Sequence, residues 1–189
     1  MPPPFISRLE SISFVFLIIL FLNTKFTLCD DRFSQDSSNK APFYSKQNII
    51  QIISAIDFNH SKFSDIGAVG LHYGQPNSIY RIPGRLALEL EYIFNTDKKE
   101  NFNQVIFGSA QDVMLSFDRF YLGAGIGIYI RSRIDSRIGS AFTFGEKIFL
   151  GYSFGSFNTE VFLKHYSNGT LTTTNSGFNF LGMRVGYSF

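Results

Sequence analysis

From about residue 47 to the end, the chain alternates in character with a period of two. Leu86, Leu88 and Leu90 share one parity, with Arg85, Glu89 and Glu91 on the other. Leu122, Ala124, Ile126, Ile128 and Ile130 oppose Tyr121, Gly123, Gly125, Gly127 and Tyr129. Val161 and Leu163 oppose Glu160, Phe162 and Lys164, while Leu181, Met183, Val185 and Tyr187 oppose Gly182, Arg184, Gly186 and Ser188. A period of two is that of a strand with two unlike faces, and no long segment here has a helical period. The pattern predicts eight strands, over residues 48–58, 65–74, 84–94, 104–117, 120–132, 140–154, 159–167 and 178–189. Short turns are predicted at Asp118-Arg119 and at residues 155–157, and longer connections after strands one, three, five and seven. The segment 75–83 is predicted as an exceptionally long connection for its side.

Alternation alone fits two architectures. A soluble sandwich buries its aliphatic face, whereas a membrane barrel turns it to lipid and fills the lumen with small and polar groups. The amino-terminal segment favours secretion, and the carboxy-terminal strand favours the barrel. Residues 13–22 form an apolar run of about ten residues, too short for a spanning helix of about twenty and placed like the core of a cleaved secretory signal. Cleavage after Cys29 suits the small residues Thr27 and Cys29; a lipoprotein reading fits less well, since the bulky Leu28 precedes Cys29, and a single-pass anchor is the other lesser alternative. At the other end, Leu181, Met183, Val185, Tyr187 and Phe189 fall at every second position, which resembles the assembly signal of bacterial outer-membrane barrels. The expected organisation is a signal peptide over 1–29, a polar leader over 30–46 and an all-β, eight-stranded antiparallel transmembrane barrel over 47–189. With the amino terminus on the periplasmic side, the connection 168–177 lies outside the cell.

Composition narrows the function. The 189 residues suit one domain, and 23 Phe, 9 Tyr and 17% charged residues favour strands over helices. A net charge of +2 with scattered basic residues excludes a broad nucleic-acid-binding surface. One cysteine excludes an internal disulfide, and His60, His72 and His165 lack a second ligand at zinc spacing, so neither metal nor cofactor is expected.

The chemistry concentrates at the end of strand seven, in His165-Tyr166-Ser167-Asn168-Gly169. His165 and Ser167 share the parity of Val161 and Leu163 and so face lipid, where polar groups carry a desolvation cost. With Cα atoms about 6–7 Å apart, Ser167 can serve as nucleophile and His165 as its base. Asn168 and the amides of Gly169 and Thr170 can stabilise an oxyanion. For the third member, Asn179 on strand eight ranks first. Glu146, sharing the parity of Ile148 and Leu150 on strand six, is the charged alternative. The plainer reading is an interfacial histidine and serine that bind water and headgroups.

His165-Tyr166-Ser167-Asn168, followed by Asn175-Ser176-Gly177 and a terminal strand, resembles the lipid A 3-O-deacylase (PagL) family, most strongly over residues 159–189. The resemblance implies an eight-stranded outer-membrane barrel that removes the 3-position acyl chain of lipid A near the extracellular interface. It implies His165 as base, Ser167 as nucleophile, Asn168 at the oxyanion site and Asn175 and Gly177 as a loop motif. Two positions depart from the family: Gly169-Thr170 stands where a small residue and then glycine are usual, and Asn179 stands where the best-known form has Glu. The implied partners are lipid A as substrate, its phosphates meeting Arg131, Arg133 or Lys147, and the barrel-assembly machinery; a homodimer stays open. A non-catalytic structural or adhesive barrel and an inactive deacylase homologue are the competing readings, with a palmitoyl transferase behind them.

Overall fold

The computed structural model describes residues 46–59, 62–95 and 102–189, so the expected signal segment and nearly all of the leader lie outside the described residues. Eight strands follow one another: β1 (Ile49–Asn59), β2 (Lys62–Ile79), β3 (Ile82–Asn95), β4 (Gln104–Phe117), β5 (Phe120–Arg131), β6 (Phe142–Phe154), β7 (Phe157–Ser167) and β8 (Phe178–Ser188). Each pairs antiparallel with its sequence neighbours, and β8 closes on β1 through Ile49↔Ser188 to Asp57↔Phe180. Closure leaves the sheet without a free edge, as a spanning sheet requires, because lipid offers backbone groups no partner.

The faces fall as the alternation predicts. Leu122 is 50% exposed and its neighbour Tyr121 only 1%. Leu88, Leu90, Ile128, Ile130, Val161, Leu163, Met183 and Val185 all line the exposed wall. Inside, four carboxylates (Glu89, Glu91, Asp112, Glu160) meet four cations (Arg85, Lys147, Lys164, Arg184), all buried. Lys147 and Lys164 each reach Glu89 at 2.6 Å, and Lys164 also reaches Glu91 at 2.6 Å. Arg85 bridges Asp112 (2.7 Å) and Glu160 (2.6 Å), and Arg184 adds a second cation to Glu160 at 2.8 Å. Tyr129 donates to Glu89 (2.6 Å) and Tyr121 to Glu160 (2.9 Å). A low-dielectric lumen makes unpaired charge expensive, and this pairing is what permits so many charges there.

Two connections differ from the sequence reading. The segment 75–83 is mostly strand: the ladder runs on through Gln75↔Leu86 to Ile79↔Ile82, and the turn is only Tyr80-Arg81. Both turn residues have positive φ (47° and 69°), the signature of a tight type I′ hairpin. Pro76 and Pro83, which read as loop punctuation, are tolerated because β1 begins opposite Gly74 and β4 pairs only from Gly84 onward. Each proline therefore lies where its strand has a neighbour on one side only. The connection after β1 is also short, since Asn59 pairs with Lys62.

The two-residue turns Tyr80-Arg81, Asp118-Arg119 and Gly155-Ser156 together mark one end of the barrel. Aromatic pairs cluster there on the outer wall: Phe120–Tyr152 at 4.7 Å, Tyr152–Phe154 at 4.5 Å and Phe157–Tyr187 at 5.3 Å between ring centroids. A second set, including Phe142–Phe144 at 5.3 Å, lies at the opposite end. Short turns at one end and an aliphatic band between two aromatic girdles are the features of a barrel seated in an outer membrane.

Candidate active site

The upper halves of β6, β7 and β8 position the site. Register sets Glu146, His165 and Asn179 side by side on three adjacent strands, through Glu146↔His165 and His165↔Asn179. All three have outward parity; Glu146 is exposed and the other two are half-buried. His165 Nδ1 and Asn179 Oδ1 are 2.8 Å apart. An amide oxygen can only accept, so Nδ1 carries the proton and Nε2 is left with its lone pair. The Cε1–Nε2 edge of the ring lies against Gly177, at the level of Ser167, one step beyond the Tyr166↔Phe178 pair. Gly177 has φ +71°, and a Cβ there would stand 2.7 Å from His165 Cε1. Only glycine combines that backbone with room for the imidazole.

Ser167 is half-buried, with Phe144 as its register partner on β6. Its carbonyl accepts from Thr143 Oγ1 at 2.5 Å, which ties the end of β7 to β6. No hydrogen bond joins Ser167 Oγ to His165 among the described residues. Such contacts are often loose until substrate arrives.

Asn168 is fully buried and acts as the lock of the β7–β8 loop. Its Nδ2 donates to Thr172 Oγ1 (2.6 Å) and the Thr174 carbonyl (2.9 Å), and its Oδ1 accepts from the Thr170 amide (3.1 Å). Its own N–H donates to Asn175 Oδ1 at 2.9 Å. Of the backbone amides proposed for an oxyanion, that of Thr170 is thus engaged, while Gly169 N–H has no partner among the described residues. Gly169 and Thr170 both have positive φ (57° and 75°), an unfavourable region for a β-branched residue.

Residues to which the sequence reading assigns no part in the site brace this loop. Asp57 on β1 accepts from the Asn179 amide (2.9 Å) and from Arg137 Nη1 (2.8 Å). The Arg137 carbonyl accepts from Ser176 N–H at 2.7 Å, and its guanidinium lies 4.8 Å over the Phe178 ring. Ile138, fully buried, forms a bridge with Asn175. The β5–β6 loop therefore buttresses the β7–β8 loop. Nothing in the sequence signals these partners, because barrel closure creates the contacts.

Two of the three basic residues suggested for lipid phosphates point elsewhere. Lys147 is buried in the lumen on Glu89 and Asp112, and Arg131 is buried against Asp135, Gln104 Oε1 (2.8 Å) and the Ile138 carbonyl (3.0 Å). Only Arg133 is exposed. The strand parity that places His165 outside places Lys147 inside. An outer groove of about 310 Å³ runs past the site, lined by Phe58, Ile148 and Leu163 together with Glu146, His165 and Asn179.

A protein "Lipid A deacylase PagL" from Bordetella bronchiseptica (strain ATCC BAA-588 / NCTC 13252 / RB50) is 37% identical over 76 residues, a match spanning 38% of this chain and 43% of that relative. Among solved structures, the outer membrane enzyme PagL superposes with a TM-score of 0.55 at 18% identity, over 74% of this chain and 99% of that one. Neisserial surface protein A superposes with a TM-score of 0.54 at 15% identity, over 75% and 97% of the two chains. At such identities these two matches speak for the fold, an outer-membrane barrel. The family model described as Lipid A 3-O-deacylase (PagL) matches residues 84–188, more than half of the sequence and all of the strands that carry the site, and the chain belongs to that family.

Proposed function

We propose that this barrel is an ester hydrolase that removes the 3-hydroxyacyl chain linked at the 3-position of lipid A, near the extracellular interface of the outer membrane. The observation that carries the reading is the His165–Asn179 bond on the lipid-facing wall, which leaves Nε2 basic and at the level of Ser167. In the proposed reaction Ser167 Oγ attacks the ester carbonyl carbon while His165 Nε2 takes the hydroxyl proton. The tetrahedral oxyanion is met by Gly169 N–H, in a turn that Asn168, Thr170 and Asn175 hold in shape. Collapse breaks the ester C–O bond, and His165 gives its proton to the departing 3-hydroxyl of the lipid. Water, deprotonated by His165, then hydrolyses the acyl-serine and releases a free 3-hydroxy fatty acid. A lipid-facing site suits a substrate whose chains already lie against the wall, and the groove past Ile148 and Leu163 provides apolar surface beside His165.

Mass spectrometry of lipid A incubated with the refolded protein tests the reading, beside Ser167→Ala and His165→Ala. The expected result is loss of one 3-hydroxyacyl chain, abolished by both substitutions. An unchanged lipid with folded protein and several lipid A forms overturns it. It would favour an inactive family member, a reading to which the neutral Asn179 lends support.

A further inference from the structure

The neutral third member leaves the proposed hydrolase without the negative charge that normally steadies an imidazolium, and the register shows where one is available. Glu146 is the lateral neighbour of His165 on β6, opposite the side occupied by Asn179. Directly paired residues on one face of a sheet have Cβ atoms about 4.5–5.5 Å apart. Glu146 lines the same groove as His165, and its carboxylate has no hydrogen bond or ion pair among the described residues. An outward carboxylate on a lipid-facing wall, next to Ile148 and Leu163, is unfavourable without a compensating role.

The other charged groups around His165 are already committed. Lys147 and Lys164 turn their ammonium groups inward to Glu89 and its neighbours, and Asp57 holds Arg137 and the Asn179 amide from inside the barrel. Among the described residues, Glu146 is therefore the charge on the outer face that directly adjoins the imidazole.

We propose that the third member of the site is divided between two strands: Asn179 fixes the tautomer of His165 from β8, and Glu146 supplies from β6 the charge that stabilises the imidazolium. This rests on the hydrolase reading above. Glu146 is a positioning residue that acts through His165. No hydrogen bond between them is needed, since a charge at this separation acts through space in a poorly hydrated surround.

The test is steady-state kinetics on lipid A with refolded wild type, Glu146→Gln, Glu146→Asp, and Asn179→Glu in the Glu146→Gln background, each checked for folding by heat-modifiable gel mobility. Glu146→Gln is expected to lower kcat about tenfold or more with KM within about twofold, and Glu146→Asp to keep most of kcat. Asn179→Glu, by returning a carboxylate to the other side of the ring, is expected to bring Glu146→Gln back to within about threefold of wild type. Wild-type rates in Glu146→Gln overturn the division while leaving the hydrolase intact. Failure of Asn179→Glu to restore activity, or a loss in Glu146→Asp as large as in Glu146→Gln, overturns it equally. A wild type inactive on every lipid A form overturns the hydrolase reading and the division together.

Discussion

Charges in the lumen and polar groups on the wall beside His165 obey opposite rules. Inside, Glu89 alone meets His72, Tyr129, Lys147 and Lys164, and the buried acids and bases balance. Outside, His165 has one side-chain partner, Asn179, and its strand neighbours Ser167 and Glu146 have no side-chain bond among the described residues. The lumen is a filled interior whose charged groups pair with one another, although His72 Nε2, Gln51 Oε1 and Arg184 Nε have no hydrogen-bond partner among the described residues. The wall holds a few polar groups with free valence at a place where lipid arrives. Paired charge inside serves structure; the sparsely partnered polar groups on the outer wall are the ones the proposed chemistry uses.

That contrast breaks most easily at its extremes. Ser167→Ala is expected to lower lipid A deacylation by about 10³-fold or more. The same variant should leave urea stability of the refolded barrel within about 0.5 kcal/mol; a large loss of stability would mean that Ser167 belongs to the structural set. Glu89→Leu is the converse. It strips two ammonium groups and two neutral partners of their shared acceptor, and a loss of about 3–5 kcal/mol in equilibrium unfolding is expected. Deacylation per folded molecule should barely change.

Gly177→Ala sits on the boundary. The added methyl meets His165 at a backbone with φ +71°, so about 1–3 kcal/mol of strain and a fall in kcat of about 10²-fold are expected together. Asn168→Ala removes three side-chain bonds of a buried amide and should cost about 1–3 kcal/mol, with activity falling about tenfold as the turn loosens. An activity loss as deep as that of Ser167→Ala, with the loop still ordered by hydrogen exchange, would instead make Asn168 a direct oxyanion donor. The smallest effect expected is a gain: Thr170→Gly relieves a β-branched residue at φ 75° and should raise stability by up to about 1 kcal/mol without loss of rate.

Several of these features were legible in the chain and others were not. The His165–Asn179 pair could be inferred because both sit on one antiparallel hairpin, where parity and a short separation set the neighbour. Glu146 could be placed on the same face for the same reason. Lys147 could not be recognised as an internal ion-pair partner of Glu89 from sequence distance, since 58 residues separate them. Asp57 reaches the Asn179 amide across 122 residues, a contact that only closure of β8 on β1 makes. Residues 75–83 misled for a local reason: Pro76 and Pro83, with Asn77 and Ser78 between them, signal a turn, yet proline is tolerated in a strand that lacks a neighbour on one side, and edge status is a property of the whole sheet.

The sequence by itself determined the number of strands, the face each side chain takes and the histidine, serine and asparagine on which the proposed function rests. It could do so because a strand sends successive side chains to opposite sides whatever the rest of the chain does. Only the tertiary structure decided which charges cancel in the lumen, which loop braces the turn after Ser167, and that Glu146 and Asn179 flank His165 from either side. Those relations depend on register and closure, which bring distant strands to one level of the barrel, and no local pattern encodes that level.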